Sequence, residues 1–256
     1  MTDALRAEWT KLRTSPSTAW ILLATVVLTA GLSTLVTGTI HVSGRSGEDP
    51  TKISLIGVDL GQAIAAVFGV LVISEEYGTR MIRTTLAAIP RRMTVLATKA
   101  VNLIVLSAVA SALGVAGSIL AGRLLLSHAR LGPANGYPLI SLGNGPTLRA
   151  AAGSVIYLVL VALLALGIAA AIRDTAVSIG VVLALLYLFP ILAATVQGSW
   201  HRHLEQIGPM TAGMSIQSTT GLSSLPISPW AGLGVLAAWS AGALLIGGCA
   251  FQFRNS

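Results

Sequence analysis

Few side chains in this 256-residue chain could do chemistry, and each stands against an apolar background. Asp59 is the one acidic residue well inside an apolar run, and Gln62 follows it by almost one helical turn. A carboxylate in hydrocarbon costs a few kcal/mol at least, so Asp59 must face protein or water. It lies about 9 Å along a helix from Ile53, near one end of its run, which suits a structural or solvated carboxylate as well as a group on a substrate or ion path. Pro190, inside another run, removes a backbone hydrogen bond and predicts a kink that bears on a path through the bundle. His201-Arg202-His203-Leu204-Glu205 alternates potential ligands that share a face on a strand but not on a helix. Without a fixed scaffold or further ligands the segment reads as a solvated loop, and no metal site is expected. The sequence contains neither an H-E-x-x-H zinc pair nor a G-x-x-x-x-G-K-[ST] phosphate loop, so ATP hydrolysis is not expected of this chain itself. Ser107, Ser111 and Ser118 read as hydroxyls bonded to helix backbone, and the lone Cys249 as a small core residue.

A second chemical signal is a charged amphipathic segment between two apolar runs, residues 74–93. Read as a helix, it places Tyr77, Met81, Ile82, Leu86 and Ile89 near one side and Glu76, Thr79, Arg80, Arg83 and Thr84 near the other. Glu76 and Arg80 stand four apart in the favourable order, and Pro90 closes the segment before Arg91 and Arg92. Such a helix would lie along the cytoplasmic boundary and present its polar face to something soluble. A positive loop that fixes orientation and touches nothing fits the composition equally well.

The elements that must position these groups follow from composition. With 54% hydrophobic and 10% charged residues, the chain is far too apolar for a soluble domain. We read it as a single all-α integral membrane domain over residues 1–256. Six apolar runs of about 20 residues, near Ala19–Ile40, Ile53–Ile73, Val101–Ala121, Ala150–Ile172, Ala176–Val196 and Ala231–Phe251, predict six crossings. The net charge of +7 comes from Lys and Arg scattered through short loops, where they set topology, so nucleic acid is not an expected partner. Placing both termini in the cytoplasm puts Arg6, Lys11, Arg13, Arg80, Arg83, Arg91, Arg92, Lys99, Arg173 and Arg254 inside. Arg45, Lys52, Arg123, Arg130, Arg149 and Arg202 then lie outside.

Residues 1–17 form a Trp-bearing amphipathic pattern expected to be a retained interfacial helix rather than a signal peptide, and Pro16 suits the first position of the helix that follows. Residues 198–230, semi-apolar between Gly and Pro breaks, suit backbone that dips into or lies on the outer interface, or a flexible external loop. Small residues recur every fourth position at Gly57, Gly61, Ala65 and Gly69, and again at Ala110, Gly114, Ser118 and Gly122. Those faces can pack closely.

ALRAEWTKLRTSPSTAW near the start, ISEEYGTRMIRTTLAAIPRR followed by TVLATKA, and the final PWAGLGVLAAWSAGALLIGGCAFQFR together resemble an actinobacterial ABC-2-type transporter permease. The resemblance spans nearly the whole chain, and EEYGTR-x-x-R-T with the Pro-Arg-Arg that follows is its most specific part. Gly208-Pro209-Met210-Thr211-Ala212-Gly213 is similar to the family's Leu-Pro-x-x-Ala-Gly segment, with Gly208 in place of Leu. The resemblance implies a bacterial plasma-membrane exporter subunit whose N-terminal helix is a connecting helix and whose external region before the last crossing is re-entrant. It also implies that Glu75, Glu76, Tyr77, Gly78, Thr79, Arg80 and Arg83 form a cytoplasmic coupling helix, docking on a separate ATP-binding subunit that carries ATP and Mg. A second copy of the chain, or a related permease, would complete the translocation path. An intramembrane enzyme, for which Asp59 would have to converge with His201 and His203, and a passive membrane scaffold are the alternatives. The cargo is not legible.

Overall fold

A computed structural model describes residues 9–10, 15–39, 49–78, 92–126, 140–195 and 199–253. The interfacial helix expected over residues 1–17 falls mostly outside these, and so do Thr79, Arg80 and Arg83 of the expected coupling segment. The described residues are helical, without a strand. In chain order they form α1 (Pro16–Thr39), α2 (Pro50–Ser54), α3 (Val58–Gly78), α4 (Arg92–Leu126), α5 (Gly145–Ile172) and α6 (Thr175–Leu183). A π-helical turn (Ala184–Leu188) and α7 (Phe189–Thr195) continue α6. Short helices α8 (Ser199–Ile207) and α9 (Pro209–Met214) and two 3₁₀ turns precede α10 (Pro229–Phe253).

Among the described residues, five helical stretches are long and apolar enough to cross a membrane: Pro16–Thr39, Met93–Leu126, Gly145–Ile172, Thr175–Thr195 and Pro229–Ala250. The second expected crossing differs. Its apolar run is split into α2, a turn at Leu55–Gly57 and α3, of which Val58–Ser74 is the apolar part and is shorter than the other five. Asp49 caps α2, Pro50 occupies its first position, and the Leu55 N–H is shared by the Thr51 and Lys52 carbonyls as the first turn closes. α2 and α3 nevertheless run alongside α5, from a Thr51–Thr147 hydroxyl contact of 3.5 Å to the close approach of Gly69 to Ala162.

Small and hydroxylated residues set the packing. The buried face of α1 is Thr18, Thr25, Thr29, Ser33 and Thr37. The Thr25 and Thr37 hydroxyls donate to carbonyls four residues back, at 2.9 and 2.7 Å, which satisfies them within the helix and leaves a flat face. Part of each predicted small-residue stripe meets this face. A Cβ on Gly57 would lie 1.8 Å from the Thr29 carbonyl oxygen, and one on Gly114 3.2 Å from Thr29 Cβ. The Ser118 hydroxyl reaches the Thr29 carbonyl at 3.3 Å, and the Gly57 N–H donates to the Ser33 hydroxyl at 3.0 Å. Thr29 is thus where α1, α3 and α4 cross.

α5 is the central helix. Tyr157, Leu158, Val161, Ala162, Ala165, Leu166 and Ala169 are fully buried around it. Gly69 faces it from α3, and Gly167 and Gly247 close the α5–α10 contact so tightly that a Cβ on either would lie within 2.5 Å of backbone across the interface. The Ser240 hydroxyl adds a bond to the Leu160 carbonyl at 2.8 Å.

The turn after α5 is tight: Arg173 takes a left-handed φ of 65° and Asp174 caps α6 through the Val177 N–H. α4 runs from Arg92 to Leu126, well beyond the Val101–Ala121 run, so Lys99 lies within a helix and not in a loop. It is buried, with its ammonium donating to the Val72 carbonyl of α3 at 3.3 Å. Ahead of Pro190 the chain opens into a π turn in which the Phe189 N–H bonds Ala184 O, five residues back. The missing proline N–H falls directly after this widened turn.

Candidate functional site

At the end of the bundle where α5 begins, α8, α9 and the first 3₁₀ turn fold back against α5 and α10. Descending α5, the Arg149 guanidinium donates to the Ser218 carbonyl, Gly153 meets Ile216, and Tyr157 meets Gly213. A Cβ on Gly153 would lie 2.0 Å from Ile216, and one on Gly213 2.6 Å from the Tyr157 ring, so both contacts need glycine. The tip of this segment therefore lies about 18 Å along α5 from Gly145. Gly232 of α10 receives the Ala212 carbonyl with the same closeness.

Asp49 ties the returning chain down. One carboxylate oxygen accepts from the Thr51 and Lys52 N–H groups at 3.1 and 3.2 Å and from the Thr219 hydroxyl at 2.7 Å. The other accepts from the Thr219 and Thr220 N–H groups. A single side chain thus caps α2 and anchors a loop that is remote in sequence.

Between α2, α3, α7 and α9 lies a cavity of about 560 Å³. Its polar lining is Asp49, Lys52, Asp59, Thr211 and Gln217; Ile53, Ile56, Pro190, Met210 and Met214 supply the apolar part. Asp59 and Pro190, singled out from sequence for separate reasons, share this wall. Gln62 lies one turn further along α3, fully buried; its amide nitrogen donates to Met210 Sδ at 3.4 Å and its carbonyl accepts from the Tyr157 hydroxyl. The Tyr187 hydroxyl, presented by the π turn, donates to the Asp59 main-chain carbonyl. The kinked span is therefore bonded to the helix carrying Asp59. Asp49 uses both carboxylate oxygens internally, whereas among the described residues no hydrogen bond or ion pair engages the Asp59 carboxylate. The Gln217 amide nitrogen is buried without a partner, in a residue 2% exposed.

The histidines are placed elsewhere. Residues 199–207 form a helix, not the expected loop, and His201 pairs with Glu205 one turn on at 3.4 Å while its other ring nitrogen meets the Ala193 carbonyl at 3.0 Å. His203 stacks edge-on against Trp200. Neither histidine lines the cavity with Asp59. No cluster of three or more His, Cys, Asp or Glu is found among the described residues.

Toward the other end of α5, a larger cavity of about 650 Å³ has a wall without charge, built from residues such as Ile168, Leu185, Val235 and Ile246. Of the expected coupling residues, Glu75, Glu76, Tyr77 and Gly78 lie on the last turn of α3, so the helix continues past its apolar stretch into that segment.

Asp49, Tyr157, Tyr187 and Gln217 were not singled out from sequence. The Asp49-Pro50 pair carries a helix-start signal, and a tyrosine within an apolar run calls for a polar partner such as Gln62. Gln217 carries no comparable signal. Compared with known proteins, the chain matches no family model and no curated sequence.

Proposed function

We propose that this chain is the membrane-spanning permease subunit of an ATP-driven exporter of the ABC-2 type, with no motor of its own. One observation carries the reading: α3 runs from the wall of the polar cavity, at Asp59, to the Glu75–Gly78 end of the charged segment as one helix. A partner gripping that end holds a rigid lever whose other end forms the cavity wall. In this reading α2 and α3 together make a second crossing, giving six, and both termini lie in the cytoplasm of a bacterial cell. The cavity is then external, and residues 198–230 are re-entrant. Glu75, Glu76, Tyr77, Gly78, Thr79, Arg80 and Arg83 contact a separate ATP-binding subunit carrying ATP and Mg, and Asp59, Gln62 and Pro190 border the path. A second copy or a related permease completes it. ATP-driven closure of the motors would shift α3 against α5, where Gly69 allows sliding contact.

The test is affinity purification of the tagged chain from its own bacterial membranes. Recovery of a stoichiometric ATP-binding subunit supports the proposal. Recovery of the intact chain without any nucleotide-binding partner, across detergents that preserve membrane complexes, refutes it.

A further inference from the structure

We propose that the cavity between α2, α3, α7 and α9 binds a zwitterionic amphiphile: a small molecule with an ammonium group, an anionic oxygen and an apolar portion. The proposal rests on the permease reading only for its place on a transport path, since the binding chemistry stands on the cavity itself. Two charged groups in the wall make no hydrogen bond and form no ion pair among the described residues: the half-buried Asp59 carboxylate and the exposed Lys52 ammonium. Lys52 and Asp59 carry opposite charges in one cavity, near enough to act on each other electrostatically but not in contact as an ion pair, so an occupant can come between them.

This donor set selects charge at both ends of a ligand. An anion alone meets the Asp59 carboxylate, and a cation alone meets the Lys52 ammonium. A zwitterion places its ammonium at Asp59 and its oxygen at Lys52. The remaining wall, with Ile53, Ile56, Pro190 and the deformable Met210 and Met214, takes an apolar portion without demanding one shape. At about 560 Å³ the space suits a small peptide or a headgroup with its glycerol, and not a protein segment. The same chemistry is found on apolar peptides and on the headgroup of phosphatidylethanolamine.

Binding to the full chain is measured by titration calorimetry without any ATPase present, so failure here is separate from failure of the permease reading. The probes are leucyl-leucine, its N-acetyl form (anion only) and its amide (cation only). The lipid arm uses native mass spectrometry to compare retention of phosphatidylethanolamine and phosphatidylglycerol. The expected result is that the dipeptide, the ethanolamine lipid or both bind, with each single-charge counterpart at least about tenfold weaker, as loss of one charged hydrogen bond implies. Asp59→Asn should reduce binding of the zwitterion to the level of the N-acetyl form, and Lys52→Gln to that of the amide. Lys52 is exposed, so the second variant keeps the test valid if the first fails to fold. Dipeptide without lipid binding identifies a soluble ligand, and the reverse identifies a headgroup; both support the site. Absence of binding by either, or equal binding of zwitterion and single-charge forms, overturns it.

Discussion

Replacing Tyr157 by Phe removes one hydroxyl from the middle of the bundle, and its effect can be worked out from two side chains. Tyr157 and Gln62 are both fully buried, and the hydroxyl donates to the Gln62 carbonyl oxygen while the Gln62 amide reaches Met210. The substitution leaves that carbonyl oxygen without its donor, at a cost of about 1–3 kcal/mol. Gln62→Leu orphans the tyrosine hydroxyl instead, and a comparable loss follows. The double variant removes both partners, so it should be less destabilised than the two singles together. Interhelical bonds in membranes couple by about 0.6 kcal/mol on average and up to about 1.7, and this pair, which closes off α9 as well as α3 and α5, is expected toward the upper figure. The assay is reversible unfolding in mixed detergent micelles, with all four proteins measured side by side. Additivity of the singles to within about 0.3–0.5 kcal/mol would refute a direct bond between these residues.

Other outcomes follow from neighbouring features. Gly69→Ala should lower stability by more than about 1 kcal/mol, because its Cβ would sit 2.2 Å from the Ala162 carbonyl oxygen; Gly31→Ala, with nothing within 4 Å, should be neutral or raise stability by up to about 1 kcal/mol. Asp49→Ala removes the cap of α2 and the anchor of Thr219 and Thr220, so limited proteolysis should cut the chain near Thr220 at least several-fold faster, with a stability loss of about 1–2 kcal/mol. In a Cys249→Ala background, a cysteine at exposed Arg202 should label from outside intact cells and one at exposed Ala176, at the opposite end of the bundle, should not. Labelling at Ala176 would reverse the proposed orientation.

Much of the fold is legible because a bilayer requires long apolar helices: four of the five spans begin and end near their apolar runs, and Pro16 marks a start that the structure uses. The break between α2 and α3 is not legible. It depends on Gly57 lying against the Thr29 carbonyl of another helix, while Leu55, Ile56 and Gly57 themselves look like uninterrupted apolar sequence. The length of α4 was underestimated because polar residues from Arg92 to Lys99 read as boundary, whereas Lys99 is buried by α3. His201 to Glu205 reads as a solvated loop for want of a fixed scaffold or further ligands, although His201 and Glu205 are spaced for one helical turn and pair across it. In the site, Asp59 and Pro190 could be found because each is costly in an apolar helix. Asp49 and Tyr157 act through Thr219 and Gln62, partners that no local pattern connects, and Gln217 emerges only once its burial is known.

The proposed function turns on the charged segment that begins on the last turn of α3 being the contact with a motor subunit. Glu76→Lys and Arg80→Glu, made separately in the full chain and expressed in its own host, test it most directly beside Arg202→Glu at the opposite end. Surface charge changes alter stability by less than about 0.5 kcal/mol, whereas disrupting a buried charged contact costs about 2–5 kcal/mol of binding. Co-purification of the ATP-binding subunit should therefore fall more than about tenfold in both segment variants, at normal membrane expression, and stay unchanged in Arg202→Glu. Full recovery of the ATP-binding subunit with both segment variants would contradict the account.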